Sequence, residues 1–104
     1  MTATTGKPGE TLISVRSTAN DEPRRFDVVI RDGSSETHYQ VTLSASDFER
    51  LNGGKATPEA CVHAVFRFLL DREPKESILR RVDVSLIERY FPEFFGEFPR
   101  YRDS

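Results

Sequence analysis

The sequence predicts a small α+β fold in which an antiparallel sheet packs against one central helix. Two alternating apolar runs, at 25–31 and 37–43, surround a turn that contains Gly33, and this pattern predicts a β-hairpin with one buried face. A long apolar stretch that begins with helix-capping residues predicts a helix over 58–72. The length of 104 residues suits one domain, which we expect to cover 11–95.

The sheet is expected to contain two or three strands. The hairpin strands give the clearest signal because large apolar residues occupy every second position. The segment 12–16 is rich in β-branched residues and is a candidate third strand at an edge, and 17–23 is expected to be a loop. The residues that alternate onto the buried face are Phe26, Val28 and Ile30 in the first hairpin strand and Tyr39, Val41 and Leu43 in the second.

The central helix carries the strongest local signals. Thr57 is suited to cap its first turn, Pro58 lacks the N–H that would be unpaired there, and Glu59 faces the positive end of the helix dipole. A broad apolar arc over 61–70 follows, so we expect this helix to form the centre of the core. Pro74 cannot continue a helix, and the helix should end shortly before it.

Shorter helices are expected on either side of the central one. Ser46 and Glu49 have the spacing of a capping box, which predicts a short helix over 46–51. Residues 76–81 are predicted to form another short helix. The residues expected to face the core from this second segment are Ile78, Leu79 and Val82.

The two ends of the chain differ from the predicted domain. Residues 1–10 are small and polar without periodicity, which predicts a flexible lead. A last helix is expected to open at Ser85, with Asp83 as a competing cap, and to stop before Pro92. The tail at 96–104 mixes aromatic residues and arginine with glycine and proline, so no long regular helix is expected there, and its rings either cover the core or lie exposed.

Composition indicates the compartment. No apolar run approaches the roughly 18–20 residues that a membrane span needs, and residues 1–10 show no apolar region of a secretory signal. The single cysteine, Cys61, excludes an internal disulfide. We therefore expect a cytoplasmic protein without membrane attachment.

The reactive side chains do not form a recognisable chemical motif. Cys61 and His63 are two positions apart and point to different helix faces, so they are not suited to share a metal ion or a proton. No phosphate-binding or dinucleotide glycine pattern is present. We expect no metal, no cofactor, no catalytic residues and no enzymatic activity; the alternative is a small enzyme with a pocket around His38, Tyr39 and Arg67.

Nucleic-acid binding is an alternative function. The net charge of −2 with mixed signs argues against nonspecific binding to an anionic polymer. Two arginine pairs are nevertheless present, one before the hairpin and one before the last helix, and a regulator that binds nucleic acid could use them if they shared a face. The candidate patch comprises Arg24, Arg25, Arg80, Arg81 and Arg89.

Protein partners are the leading expectation. A small sheet leaves edges that must be covered or paired, and the C-terminal rings are of the kind that anchor interfaces. The alternative is that these rings cap the core. The sequence thus favours a non-enzymatic interaction or regulatory module that binds a protein partner or self-associates, with a candidate surface of Phe94, Phe95, Phe98 and Tyr101.

Three segments carry a family resemblance: 57–59 (TPE), 66–74 (FRFLLDREP) and 87–94 (IERYFPEF). Across about two-thirds of the chain, they resemble a small prokaryotic protein module that has no assigned activity. This likeness implies a shared fold and transfers no catalytic or binding residue. A looser resemblance is to HicB-type antitoxins, in which a hairpin also leads into a helix opened by threonine and acidic residues.

Overall fold

The computed structural model describes residues 11–103 and combines a four-stranded sheet with four α-helices. The predicted lead at 1–10 lies outside the described residues. The strands are β1 (Thr11–Ala19), β2 (Arg24–Asp32), β3 (Ser35–Leu43) and β4 (Arg81–Asp83). The helices are α1 (Ala45–Asn52), α2 (Pro58–Leu70), α3 (Ile87–Tyr90) and α4 (Phe94–Arg102), with 3₁₀ turns at Lys75–Ser77 and Val84–Leu86.

The sheet has the order β1-β2-β3-β4, which confirms the predicted α+β class and hairpin. β1 and β3 both pair antiparallel with β2, whereas β4 returns through the helices and pairs parallel with β3. The candidate strand at 12–16 is confirmed and is longer than expected, because its pairing with β2 continues to Ala19. The loop expected to begin at Ser17 therefore begins at Asn20.

The two faces of the sheet differ in burial. One face packs against the helices and carries the alternating apolar side chains of β2 and β3, and the other face is polar and open. Helix α2 supplies the facing layer, as predicted. The completely buried side chains on these elements include Phe26, Val28, Ile30, Tyr39, Val41 and Leu43 from the sheet and Cys61, Val62, Val65, Phe66 and Phe68 from α2.

Helix α2 begins as predicted, whereas the cap of α1 lies two residues earlier than predicted. The Thr57 hydroxyl accepts a 3.1 Å hydrogen bond from the Ala60 N–H, which confirms its role as a cap. The predicted cap of α1, Ser46, is wrong, because Ser44 accepts from the Asp47 N–H at 3.1 Å. Gly53 ends α1 in the left-handed conformation at φ 63°.

The segment at 76–81 is not the predicted helix. It forms a short 3₁₀ turn and an extended strand, because the Gln40 N–H at the sheet edge donates a 2.8 Å bond to the Arg80 carbonyl. Ile78 faces the core as expected, but Leu79 is exposed. The last predicted helix is split into a 3₁₀ turn and α3, and Asp83 rather than Ser85 provides the cap.

The C-terminal tail forms helix α4 even though Pro99 lies inside it. Packing on α2 explains this helix: the ring of Phe94 meets that of Phe68 edge-on at 4.9 Å, and Phe98 is buried beside it. The Arg67 guanidinium adds a 2.9 Å hydrogen bond to the Tyr101 carbonyl. Within residues 11–103, no helix has both the length and the apolar content to cross a membrane.

Candidate protein-interaction site

A groove runs between strand β4 and helix α3, and we name it the β4 groove. Its volume is about 440 Å³, which lies in the range of ligand-binding clefts. Its floor is continuous with the core, because Leu69, Ile78 and Ile87 are buried there. Its lining residues are Leu69, Glu73, Ser77, Ile78, Leu79, Arg81, Val82, Asp83, Leu86, Ile87, Tyr90 and Phe91.

Large apolar side chains are exposed along the rim of the β4 groove. Leu79 is 66% exposed, Leu86 is 43% exposed and Tyr90 is 68% exposed. Within residues 11–103, the other large hydrophobic residue with such exposure is Leu12, which lies on β1 at the opposite edge of the sheet. Exposed apolar groups that gather around one concave surface are typical of an interaction site rather than of ordinary surface scatter.

The backbone of β4 presents hydrogen-bonding groups to this groove. Since the Arg80 carbonyl accepts from β3, and successive strand residues direct their backbone groups to opposite sides, the N–H and C=O groups of Arg81 and the N–H of Asp83 point away from β3. The Asp83 carbonyl is used by the 3₁₀ turn that Asp83 caps. No other described strand pairs with this side of β4. The site therefore combines an apolar cleft with a short, open sheet edge.

Both charge signs occur at the groove. Glu73, Arg81 and Asp83 are the charged residues among those that line it. The Asp83 carboxylate is already engaged, because its Oδ1 accepts from the Ser85 N–H at 3.0 Å and from the Ser85 hydroxyl at 2.7 Å. This carboxylate fixes the turn that leads from β4 into α3 and so shapes one end of the groove.

The predicted aromatic surface is corrected by the burial of its members. Phe94 and Phe98 are buried in the core and cannot contact a partner in this fold. Phe95 is half-buried, with the Arg50 guanidinium 3.5 Å from its ring centroid. Tyr101 is also half-buried and its ring packs edge-on against Phe68 at 5.6 Å. These rings therefore cover the core, which is the alternative given in the sequence analysis.

The five arginines of the predicted nucleic-acid patch do not share one face. Arg24 lies on the helix side of the sheet, with its guanidinium 5.6 Å from the centroid of the Phe48 ring, whereas Arg25 is exposed on the open face. Asp27 and Asp83 line the same shallow depression as Arg25 and Arg81. The remaining members are Arg80, which lies in an adjoining depression, and Arg89, which is exposed on α3.

The candidate reactive residues are separated as well. His38 is exposed on the open face of the sheet, while the buried Tyr39 on the other face donates a 2.6 Å hydrogen bond to the Lys75 carbonyl. Arg67 lies on α2, so the pocket suggested for an enzyme does not form around these three residues. Within residues 11–103, no group of three histidine, cysteine or acidic residues is placed to hold a metal ion.

Cys61 and His63 sit in environments that explain their pKa values. Cys61 is completely buried on α2, and desolvation raises the pKa of its thiol to about 11 against the opposing charge of Arg102. His63 is half-buried, and desolvation followed by the nearby Arg67 charge lowers its pKa below 6.5. Cys61 thus has the surroundings of a core residue rather than of a nucleophile.

Lys75 is a buried charged residue that the sequence did not single out. Its Nζ donates hydrogen bonds to Ser35 Oγ at 2.6 Å, to Thr37 Oγ1 at 2.9 Å and to Glu76 Oε2 at 2.9 Å. All three ammonium protons therefore have acceptors. The cluster ties the turn after α2 to the start of β3, and this turn sets the position of the chain that enters β4. No sequence signal marks it, since a lysine after a proline is ordinary on a surface.

No protein-family model, curated protein or solved structure matches the chain. The two resemblances drawn from the sequence therefore stay predictions.

Proposed function

We propose that this chain is a non-enzymatic protein-interaction module whose β4 groove binds an extended segment of a protein partner. The observation that supports this most is the exposed apolar rim of Leu79, Leu86 and Tyr90 beside an open strand edge. In the proposed complex, the segment adds to β4, and a bulky apolar side chain of the segment enters the cleft.

The backbone of β4 favours an extended peptide as the occupant. Arg81 directs an N–H donor and a C=O acceptor along the groove and Asp83 adds an N–H donor, and a peptide in β conformation presents matching groups. The floor formed by Leu69, Ile78 and Ile87 supplies the apolar environment for its side chain. A segment without a large apolar residue would leave that floor uncovered.

The size of the site indicates weak and reversible binding. β4 has only three residues, so few backbone hydrogen bonds can form. Full burial of one large apolar side chain contributes ~1.5–3 kcal/mol, whereas association costs roughly 4–15 kcal/mol in lost translational and rotational freedom. These magnitudes favour a transient regulatory contact over a permanent complex.

A displayed library of random linear peptides tests the proposal without knowledge of the partner. We expect selection on the wild-type protein to enrich peptides with a bulky apolar residue. In fluorescence anisotropy, the enriched peptides should bind Leu86→Ser and Tyr90→Ser at least about tenfold more weakly than the wild type.

Leu12→Ser is the matched control, because it removes an exposed leucine at the opposite edge of the sheet. It should leave peptide affinity unchanged. The proposal fails if no such peptides are enriched, or if folded Leu86→Ser and Tyr90→Ser proteins, checked by circular dichroism, bind them as well as the wild type does.

A further inference from the structure

We infer that the outer edge of β1 pairs with β1 of a second copy of this chain, giving an antiparallel, two-fold symmetric dimer. This surface lies at the other edge of the sheet from the β4 groove, so the inference does not depend on the proposed function. An open strand has backbone N–H and C=O groups without hydrogen-bond partners, and a second strand can supply those partners. The residues of β1 described below fit the same strand of a second copy.

Strand β1 lacks the features that usually protect an edge. Its nine residues, Thr11–Ala19, include one charged residue, Arg16, and no lysine, proline or glycine. Within the described residues, β1 pairs only with β2.

Strand regularity limits the part of β1 that can pair. The register with β2 is continuous from Thr11 to Ser17 and shifts between Ser17 and Ala19. A bulge of this kind twists a strand and ends regular pairing. The regularly paired segment 11–17 is therefore the part available to a second copy, and its central residue is Ser14.

A two-fold axis at Ser14 uses this whole segment and gives compatible neighbours. Antiparallel pairing about that residue places Leu12 opposite Arg16 of the second copy on the open face, where the aliphatic part of the arginine can cover the 56% exposed leucine. On the helix side, Ile13 meets Val15 of the second copy, and both are only half-buried in one chain.

Arg16 also helps to select the register. An axis at Arg16 itself would place two guanidinium groups directly opposite each other, which is unfavourable. An axis at Ser14 separates them, and each Arg16 keeps its 2.9 Å ion pair with Asp27. The pairing is isologous, so the assembly is complete with two copies. The two sheets join into one continuous sheet with a β4 groove at each end.

Sedimentation equilibrium of charge variants at Ser14 tests the dimer. The side chain of Ser14 is exposed on the open face, so Ser14→Lys should fold, yet it sets two ammonium groups face to face across the axis. We expect the dissociation constant of the dimer to rise about fivefold or more for Ser14→Lys and likewise for Ser14→Glu. An equimolar mixture of the two variants should recover the dimer.

Thr18→Lys is the matched control, because Thr18 is exposed on the same strand but lies in the irregular part beyond the paired segment. It should dimerise like the wild type. A Ser14→Cys variant should oxidise to a covalent dimer, since directly opposed residues of an antiparallel pair have Cα atoms about 4.5–5.5 Å apart, whereas Thr18→Cys should not. A wild type that is monomeric up to millimolar concentration overturns the inference, and so does a dimer that Ser14→Lys leaves unchanged.

Discussion

The Lys75 ammonium donates a 2.9 Å hydrogen bond to the hydroxyl of Thr37, although the two residues are 38 positions apart in the chain. Both residues are about 5% exposed, so this bond joins two buried polar groups. It connects the turn after α2 to the start of β3 and thereby fixes where the chain enters β4. The β4 groove depends on that entry point.

Substitution Lys75→Met should destabilise the fold, because the Thr37 hydroxyl then loses its donor while it remains buried. We expect a loss of about 1–3 kcal/mol in the free energy of unfolding, measured by urea denaturation. Lys55→Met is the control, since Lys55 is exposed and should change stability by less than about 0.5 kcal/mol. In a Thr37→Val background, the effect of Lys75→Met should be smaller; equal effects in both backgrounds would contradict the coupling.

The C-terminal rings should behave as core residues in a stability series. Phe98→Ala should lower the free energy of unfolding by about 3–5 kcal/mol, because Phe98 is buried beside Phe94. Phe95→Ala should cost clearly less, since Phe95 is half-buried. Chemical denaturation measures both. If the two variants have equal and small effects, α4 is not part of the core.

His63 should make stability depend on pH near neutrality. Burial and the Arg67 charge hold the pKa of His63 below 6.5 in the folded chain, so the unfolded chain binds the proton more readily. The free energy of unfolding should therefore fall as the pH drops below 6.5 and continue to fall until the pKa of the folded chain is reached. Urea midpoints should show this decline in the wild type and a weaker one in His63→Gln. A decline of the same size in both proteins would assign it to other groups.

Cys61 should resist thiol reagents in the native state. Its thiol is completely buried and its pKa is raised to about 11, so little thiolate is available at pH values near 8. We expect 5,5′-dithiobis(2-nitrobenzoic acid) to react slowly with the native protein and rapidly, with one equivalent, after denaturation in guanidinium chloride. Fast stoichiometric reaction of the native protein would show that Cys61 is accessible.

The elements that local chemistry specifies were predicted from the sequence. The alternation in β2 and β3 and the cap at Thr57 depend on neighbours within a few positions, so they appear directly in the residue pattern. The cap of α1 is Ser44 and not the predicted Ser46. Both are serines that can cap a helix, so side-chain chemistry alone does not distinguish them.

The elements that tertiary contacts specify were not predicted. β4 has only three residues, too few to show alternation, and it is extended because it pairs with β3. Helix α4 forms despite Pro99 because Phe94 and Phe98 pack into the core. The β4 groove forms through the parallel pairing of β4 and the turn held by Lys75, and both join parts of the chain that are distant in sequence. The local pattern therefore predicts, wrongly, that Leu79 faces the core.

Amide hydrogen exchange at β4, read residue by residue by NMR with and without a peptide selected from the library, tests the proposed interaction most directly. The N–H groups of Arg81 and Asp83 point away from β3, so we expect fast exchange in the free protein and marked protection in the complex. Amide signals of residues that line the β4 groove should shift on titration. Unchanged exchange at Arg81 and Asp83, with shifts confined to the open face around Arg25 and His38, would contradict a site at this edge.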